Sequence, residues 1–363
     1  MPDFVSGIAL ASQFYRDAVR PILDQAFPGL AHAAGLIGFG SEVLGFDTPV
    51  STDHHWGPRL LLFLGDEDHD RHADAIRDVM RRRLPPTCLG WSTNFSAPDF
   101  TDQGVQRLQP GREGDTNHRV EIQRVPQFFR EYLGLDVLAS LTARAWLTLP
   151  SQKLRTITAG EVFHDGVGLE GVRERLAWYP HDVWLYQIAA GWTRIGQEEH
   201  LMGRAGQVGD DLGSRLIAAC LVRDLMRLGF LLERQYAPYA KWFGTAFGQL
   251  KAAASLQPVL GRVLAATSWP ERDRSLGEAY AAMARLHNSL GLTDPVPAEP
   301  AQFHGRPFTV IFGDRFAEAL RQRITDPDVR ALPFPIGGVD QWSDSTDLLE
   351  SAALRPRLEA LYV

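Results

Sequence analysis

Gly40 and Ser41 close a short apolar run, and Asp53, His54 and His55 follow after a brief spacer. All lie in one turn-rich stretch, GFGSEVLGFDTPVSTDHHWGP, residues 38–58. A glycine lets the backbone approach a phosphate closely, and a serine hydroxyl adds a donor. An acid at the start of the next strand can hold a divalent cation. In an extended 53–55 segment, Asp53 and His55 project to one face and His54 to the other. A third ligand must come from a nearby strand, and Glu121 in HRVEIQRV (118–125) is the candidate. A phosphate cradle at Gly40 and Ser41 beside a cation held by Asp53, His55 and Glu121 is equipment for phosphoryl or nucleotidyl transfer. The cation there neutralises charge on the transferred group. Arg59 is positioned to reach a phosphate from the same strand or to be a surface arginine. Asp47, in FDTP, reads as a turn former, and His54 as a structural histidine.

A second set of charged residues lies further along the chain. At 100° per residue, Ile217, Leu221, Leu225, Leu228 and Leu232 form one apolar face of a helix over 211–234. Arg215, Arg223 and Arg227 lie on the other side, with Lys241 beyond the break at Pro238. The row reads either as a solvated face or as a phosphate-binding lining of an interdomain cleft, with Arg215 and Lys241 its nucleotide-binding members. Glu198 and Glu199 in RIGQEEHLMGR are candidates for a general base that activates an acceptor hydroxyl, and Glu199 is the one taken. Adjacent helical residues lie 100° apart, so at most one of the two points at a substrate. The acids in DEDHDRHAD (66–74) sit at a helix start, where solvated acids are expected. Trp178, Tyr179, Trp184, Tyr186 and Trp192 crowd one helical region and read as packing.

The elements that must position these residues are legible as patterns. Residues 7–26 read as an amphipathic helix. AAGLIGFG (33–40) and WGPRLLLFLG (56–65) read as buried strands, and 118–125 as a third. Residues 66–84 start acidic and end basic, as a helix dipole prefers. PQFFREYLG is a short helix with Pro in its first turn and Gly at its end. KLRTITAGEVFHD (153–165) is one more strand or an extended connection. From about 166 the texture becomes long helical patterns, which describe a bundle. The tail from 292 is Pro-rich, with a strand at FTVIFG and a helix at DRFAEALRQRI. The expectation is an α+β protein: a small mixed sheet with flanking helices over 1–165, a helical bundle over 166–290 and a C-terminal extension over 291–363. Hydrophobic residues make up 45% and charged residues 22% of the 363, enough for real cores. The net charge of −7 argues against binding long nucleic acid. Cys88 and Cys220 form no disulfide framework. No secretory leader and no stretch of about 18 uncharged apolar residues is visible, so no membrane partner is expected and the expected location is the cytoplasm.

The spacing of Gly40-Ser41 and Asp53-His54-His55 resembles the nucleotidyltransferase signature, Gly-Ser, a spacer, then Asp-x-Asp or Glu. The fuller strings GSEVLGFDTPVSTDHHWGPRL, TAGEVFHD and the run from YPHDVW to KWFGTAF resemble one branch of that superfamily, known as domain of unknown function 4037. The resemblance spans roughly 30–250. It implies a nucleotidyltransferase-like sheet domain, then a helical domain like that of antibiotic nucleotidyltransferases, with the active site in the cleft between them. It further implies Mg²⁺ or Mn²⁺ as cofactor, an NTP as co-substrate, and transfer of a nucleoside monophosphate to an unidentified hydroxyl acceptor: a small molecule, a protein or an RNA end. Asp53 matches the first acid of the signature. His55 stands where the second acid belongs, and imidazole suits Mn²⁺ better than Mg²⁺. The alternative reading is a catalytically degenerate protein of the same fold that binds a nucleotide or a partner.

Overall fold

A computed structural model describes residues 2–102, 104–112, 114–333 and 335–363. The chain divides into two compact units. Unit 1 comprises residues 1–140 and 153–177, and unit 2 comprises 141–152 and 178–363.

Unit 1 opens with α1 (Gly7–Phe14) and α2 (Arg20–Ala26), joined by a π turn at Tyr15–Val19. The π turn ends two residues before Pro21, which has no N–H to give to the helix ladder. Strand β1 (His32–Leu36) is buried along its whole length, as is β2 (Arg59–Leu64). Helix α3 (Asp66–Arg83) follows with acids in its first turn and Arg81, Arg82 and Arg83 in its last. Two short strands, β3 (Thr87–Cys88) and β4 (Trp91–Ser92), form a separate ladder. Strand β5 (Arg119–Arg124) leads into α4 (Val125–Leu133), which Gly134 ends in the left-handed region at φ 76°. After α5 (Ala143–Thr148) of unit 2 come α6 (Ser151–Thr158), β6 (Glu161–Asp165) and α7 (Leu169–Arg175).

The main sheet has the order β5-β2-β1-β6. β1 runs antiparallel to β2 and β6, while β2 and β5 are parallel. Alternation along β2 and β5 sorts the faces. Leu60, Leu62, Leu64, Val120 and Ile122 join Leu10, Phe14, Ile76 and Met80 in one apolar cluster under α1, α2 and α3. The opposite face carries Arg59, Leu61 and Phe63 beside their register partners Arg119, Glu121 and Gln123. Phe63 meets Phe128 of α4 edge-on there, 5.3 Å between ring centres. The other end of that face is polar.

Unit 2 is helical: α8 (His181–Glu198), α9 (Leu201–Gln207), α10 (Asp211–Leu232), α11 (Ala240–Phe247), α12 (Ala253–Ala265), α13 (Trp269–Ser289) and α14 (Gly313–Arg321). The aromatic group read as packing does pack. Trp184 Nε1 donates to the Leu231 carbonyl at 2.7 Å, and Trp192 stacks on Phe316 at 4.2 Å between centres. No described helix is long and apolar enough to cross a membrane.

Three local expectations are corrected. Asp53 and His55 are not on a strand. Pro49–Asp53 is a 3₁₀ turn, closed by reciprocal Thr48 and Ser51 caps, and β2 begins only at Arg59. Residues 153–158 are helical, and the strand in that segment is confined to 161–165. In the tail, FTVIFG yields only a two-residue ladder, Thr309–Val310 against Ala301–Gln302.

Candidate functional site

The polar end of the sheet face is built around two arginines in register, Arg59 on β2 and Arg119 on β5. Arg59 is 7% exposed. Its Nε donates to Glu42 Oε1 at 2.9 Å, and its Nη2 donates to the same oxygen and to the Phe39 carbonyl, both at 2.5 Å. Glu42 is equally buried, so the pair is dry. Here lies the reason for Gly40. Its φ is 127°, and a Cβ at that position would stand 2.4 Å from Glu42 Oε2 and 2.6 Å from Arg59 Nη2. The glycine clears room for an internal ion pair, where the sequence suggested a close phosphate. Arg59, expected to face a nucleotide, is committed to the turn instead. Ser41 serves the turn through its carbonyl, which accepts from Phe46 N–H at 2.9 Å.

His55 takes a left-handed backbone, φ 54°, and its N–H donates to the Gln106 carbonyl at 2.8 Å. Arg119 Nη1 donates to His55 Nδ1 at 3.1 Å, and its Nη2 donates to Glu121 Oε1 at 2.8 Å. Nδ1 is therefore the acceptor, and the ring proton is on Nε2. Burial, and then the charge of Arg119, hold the imidazole pKa below its ordinary value, so the ring is neutral at pH 7. His55 and Glu121, two of the three expected metal ligands, are thus brought together, but around a guanidinium. Asp53, the third, lies outside this bridge: it pairs with His54, Oδ1 to Nδ1 2.8 Å, and both side chains are more than half exposed. Among the described residues no group of three or more His, Cys, Asp or Glu side chains is arranged to hold a metal ion. A permanent cation, Arg119, thus bridges two of the three expected ligands, and Asp53 lies apart from them.

Asp47 does more than form a turn. Its Oδ2 accepts from the Gly7 N–H at the start of α1 at 2.7 Å and from Trp56 Nε1 at 3.0 Å. Lys153 of α6 is 3% exposed, and its ammonium lies 4.6 Å from the Phe39 ring centre and 4.1 Å from that of Tyr132. Phe39 itself is 63% exposed. Sequence reading missed Glu42, Arg119 and Lys153. Two of them carried a signal: Glu42 directly follows Ser41, and Arg119 sits two residues before Glu121 on one strand, hence on one face.

In unit 2, Glu199 is buried, and its carboxylate accepts from the N–H groups of Ile311, Phe312 and Gly313 at 2.6, 3.2 and 3.3 Å. It holds the start of α14, a structural task that occupies the oxygens a general base would need. Burial pushes its pKa up to about 7, against the lowering effect of those N–H groups. Arg215 pairs with Asp211 at 2.6 Å. Arg223 and Arg227 both pair with Asp344. The Lys241 ammonium lies 4.9 Å from the Trp242 ring centre.

No curated protein and no solved structure matches the chain. A family match begins C-terminal to Gly40, Asp53, His55 and Glu121 and takes in Glu199, Arg215 and Lys241. Residues 146–243 match the family model described as Domain of unknown function (DUF4037).

Proposed function

We propose that the chain is a nucleotide-phosphate-binding protein built on a nucleotidyltransferase-like plan, and that it binds without metal-dependent transfer. One observation carries the reading: the Arg119 guanidinium bridges His55 and Glu121, two of the residues expected from the sequence to hold a divalent cation. A guanidinium is always charged and has five N–H donors, so it meets a phosphate with no metal. Here His55 and Glu121 fix its plane. The exposed Phe39 ring, on a turn with Gly38 and Gly40 at φ 85° and 127°, offers an apolar face for a base or sugar. The test is Arg119→Met, which keeps the stem and removes the charge. Triphosphate binding by calorimetry is expected to weaken at least tenfold with the far-UV spectrum unchanged. Unchanged affinity contradicts the proposal.

A second reading, metal-dependent transfer of a nucleoside monophosphate from an NTP to a hydroxyl acceptor, is favoured by the exposure of two carboxylates. The side chains of Asp53 and Glu121 are 62% and 41% exposed, open to solvent and to re-aiming. Pyrophosphate release from any NTP with Mn²⁺ and a pool of acceptors establishes that reading in place of the first.

A further inference from the structure

Arg223 and Arg227 stand one turn apart on α10 and therefore on one face. Between them lies a single carboxylate, with each oxygen given its own guanidinium. Arg223 Nη1 donates to Asp344 Oδ2 at 2.6 Å, and Arg227 Nη2 donates to Asp344 Oδ1. Arg227 is steadied from behind by Asp224, 3.6 Å away and 4% exposed, and Arg194 Nε also donates to Asp224 at 2.8 Å. The arginines are thus held by the helices, while the acid they hold comes from the tail.

Asp344 sits between two short helices, Val339–Trp342 and Thr346–Glu350. Its side chain is 55% exposed, so solvent ions reach the pair. A carboxylate offers two oxygens, and two guanidiniums offer ten N–H groups. Arg223 Nε is buried and has no hydrogen-bond partner. The donors outnumber what Asp344 can accept, as expected of a place shaped for a larger oxyanion.

We infer that Arg223 and Arg227 form an oxyanion site on unit 2, that Asp344 fills it as an internal stand-in, and that a phosphate group takes it by displacing Asp344. The site rests on residues of unit 2 alone. Free phosphate and a phosphate monoester share this chemistry, so both are used as probes.

The experiment compares the full chain with Asp344→Ala and Asp344→Asn. Inorganic phosphate and AMP are titrated separately by calorimetry at constant ionic strength. Both variants are expected to bind at least one probe tenfold or more tighter than the unsubstituted chain, and adding Arg227→Gln should remove the gain. The tighter probe identifies the source as free ion or ester. Equal affinity for both probes in the presence and absence of Asp344 overturns the proposal. Should neither variant fold, the unsubstituted protein decides the matter by hydrogen exchange. Residues 343–346 should exchange faster in phosphate than in chloride of the same ionic strength, and an unchanged rate overturns the proposal.

Discussion

Arg59 and Arg223 each hold a carboxylate, yet the two pairs live in different solvents. Arg59 and Glu42 have side chains 8% and 5% exposed, while Arg223 and Asp344 are 38% and 55% exposed. In the dry pair, neither charge has water to fall back on, so the partners are bound to each other and to the Gly40 turn. In the wet pair, water and dissolved ions compete with the partner at little cost. The residues that most resembled a phosphate cradle are therefore the ones committed internally. The Arg223 pair, from the row that read either as a solvated face or as a phosphate-binding lining, is the one open to solvent ions.

The largest effect should come from breaking the dry pair. Glu42→Gln leaves Arg59 charged and buried, and unfolding in denaturant should show a loss of about 3–5 kcal/mol. A loss under about 1 kcal/mol would mean that water reaches the pair.

Next comes the buried carboxylate of unit 2. Glu199 has a folded pKa of about 7 against an ordinary value of 4.5. Between those values the folded state binds the extra proton. The stability from this group is thus complete below 4.5 and is lost as pH rises through 7. Unfolding free energy should fall by on the order of 3 kcal/mol from this group across that window. In Glu199→Gln this component of the pH slope should vanish. A variant with the same slope as the unsubstituted chain would place the titration elsewhere.

The smallest effect belongs to a fully wet pair. Arg77 and Asp74 on α3 are 53% and 99% exposed. Arg77→Ala should change stability by no more than about 0.5 kcal/mol, and a larger shift in denaturation midpoint would blur the contrast with Glu42.

Much of the frame was legible in the sequence because it depends on local pattern. The apolar runs at 33–40 and 56–65 correspond to the shorter β1 and β2, the alternation at 118–125 to β5, and the acid-to-base gradient over 66–84 to α3. Local pattern misled where short-range bonding overrode it. Pro49 with Thr48 and Ser51 builds a 3₁₀ turn that takes in Asp53, which was expected on a strand. Thr156, Ile157 and Thr158 are β-branched and, within 153–165, read as a strand or an extended connection, yet they close α6. The site was less legible because its decisive contacts are distant in sequence. Arg119 meets His55 across 64 positions, and Glu199 meets Ile311 across 112. Gly40 was identified as a place of close approach, but its neighbour turned out to be Glu42, two residues on.

The central claim is that Arg119 stands in for a metal between His55 and Glu121. Its most direct test is the affinity of the full chain for ATP by calorimetry, in EDTA and then with saturating Mn²⁺. The expected result is equal dissociation constants within about a factor of three, less than 1 kcal/mol, and no pyrophosphate in either condition. Binding that appears only with Mn²⁺, or any pyrophosphate release, would contradict it.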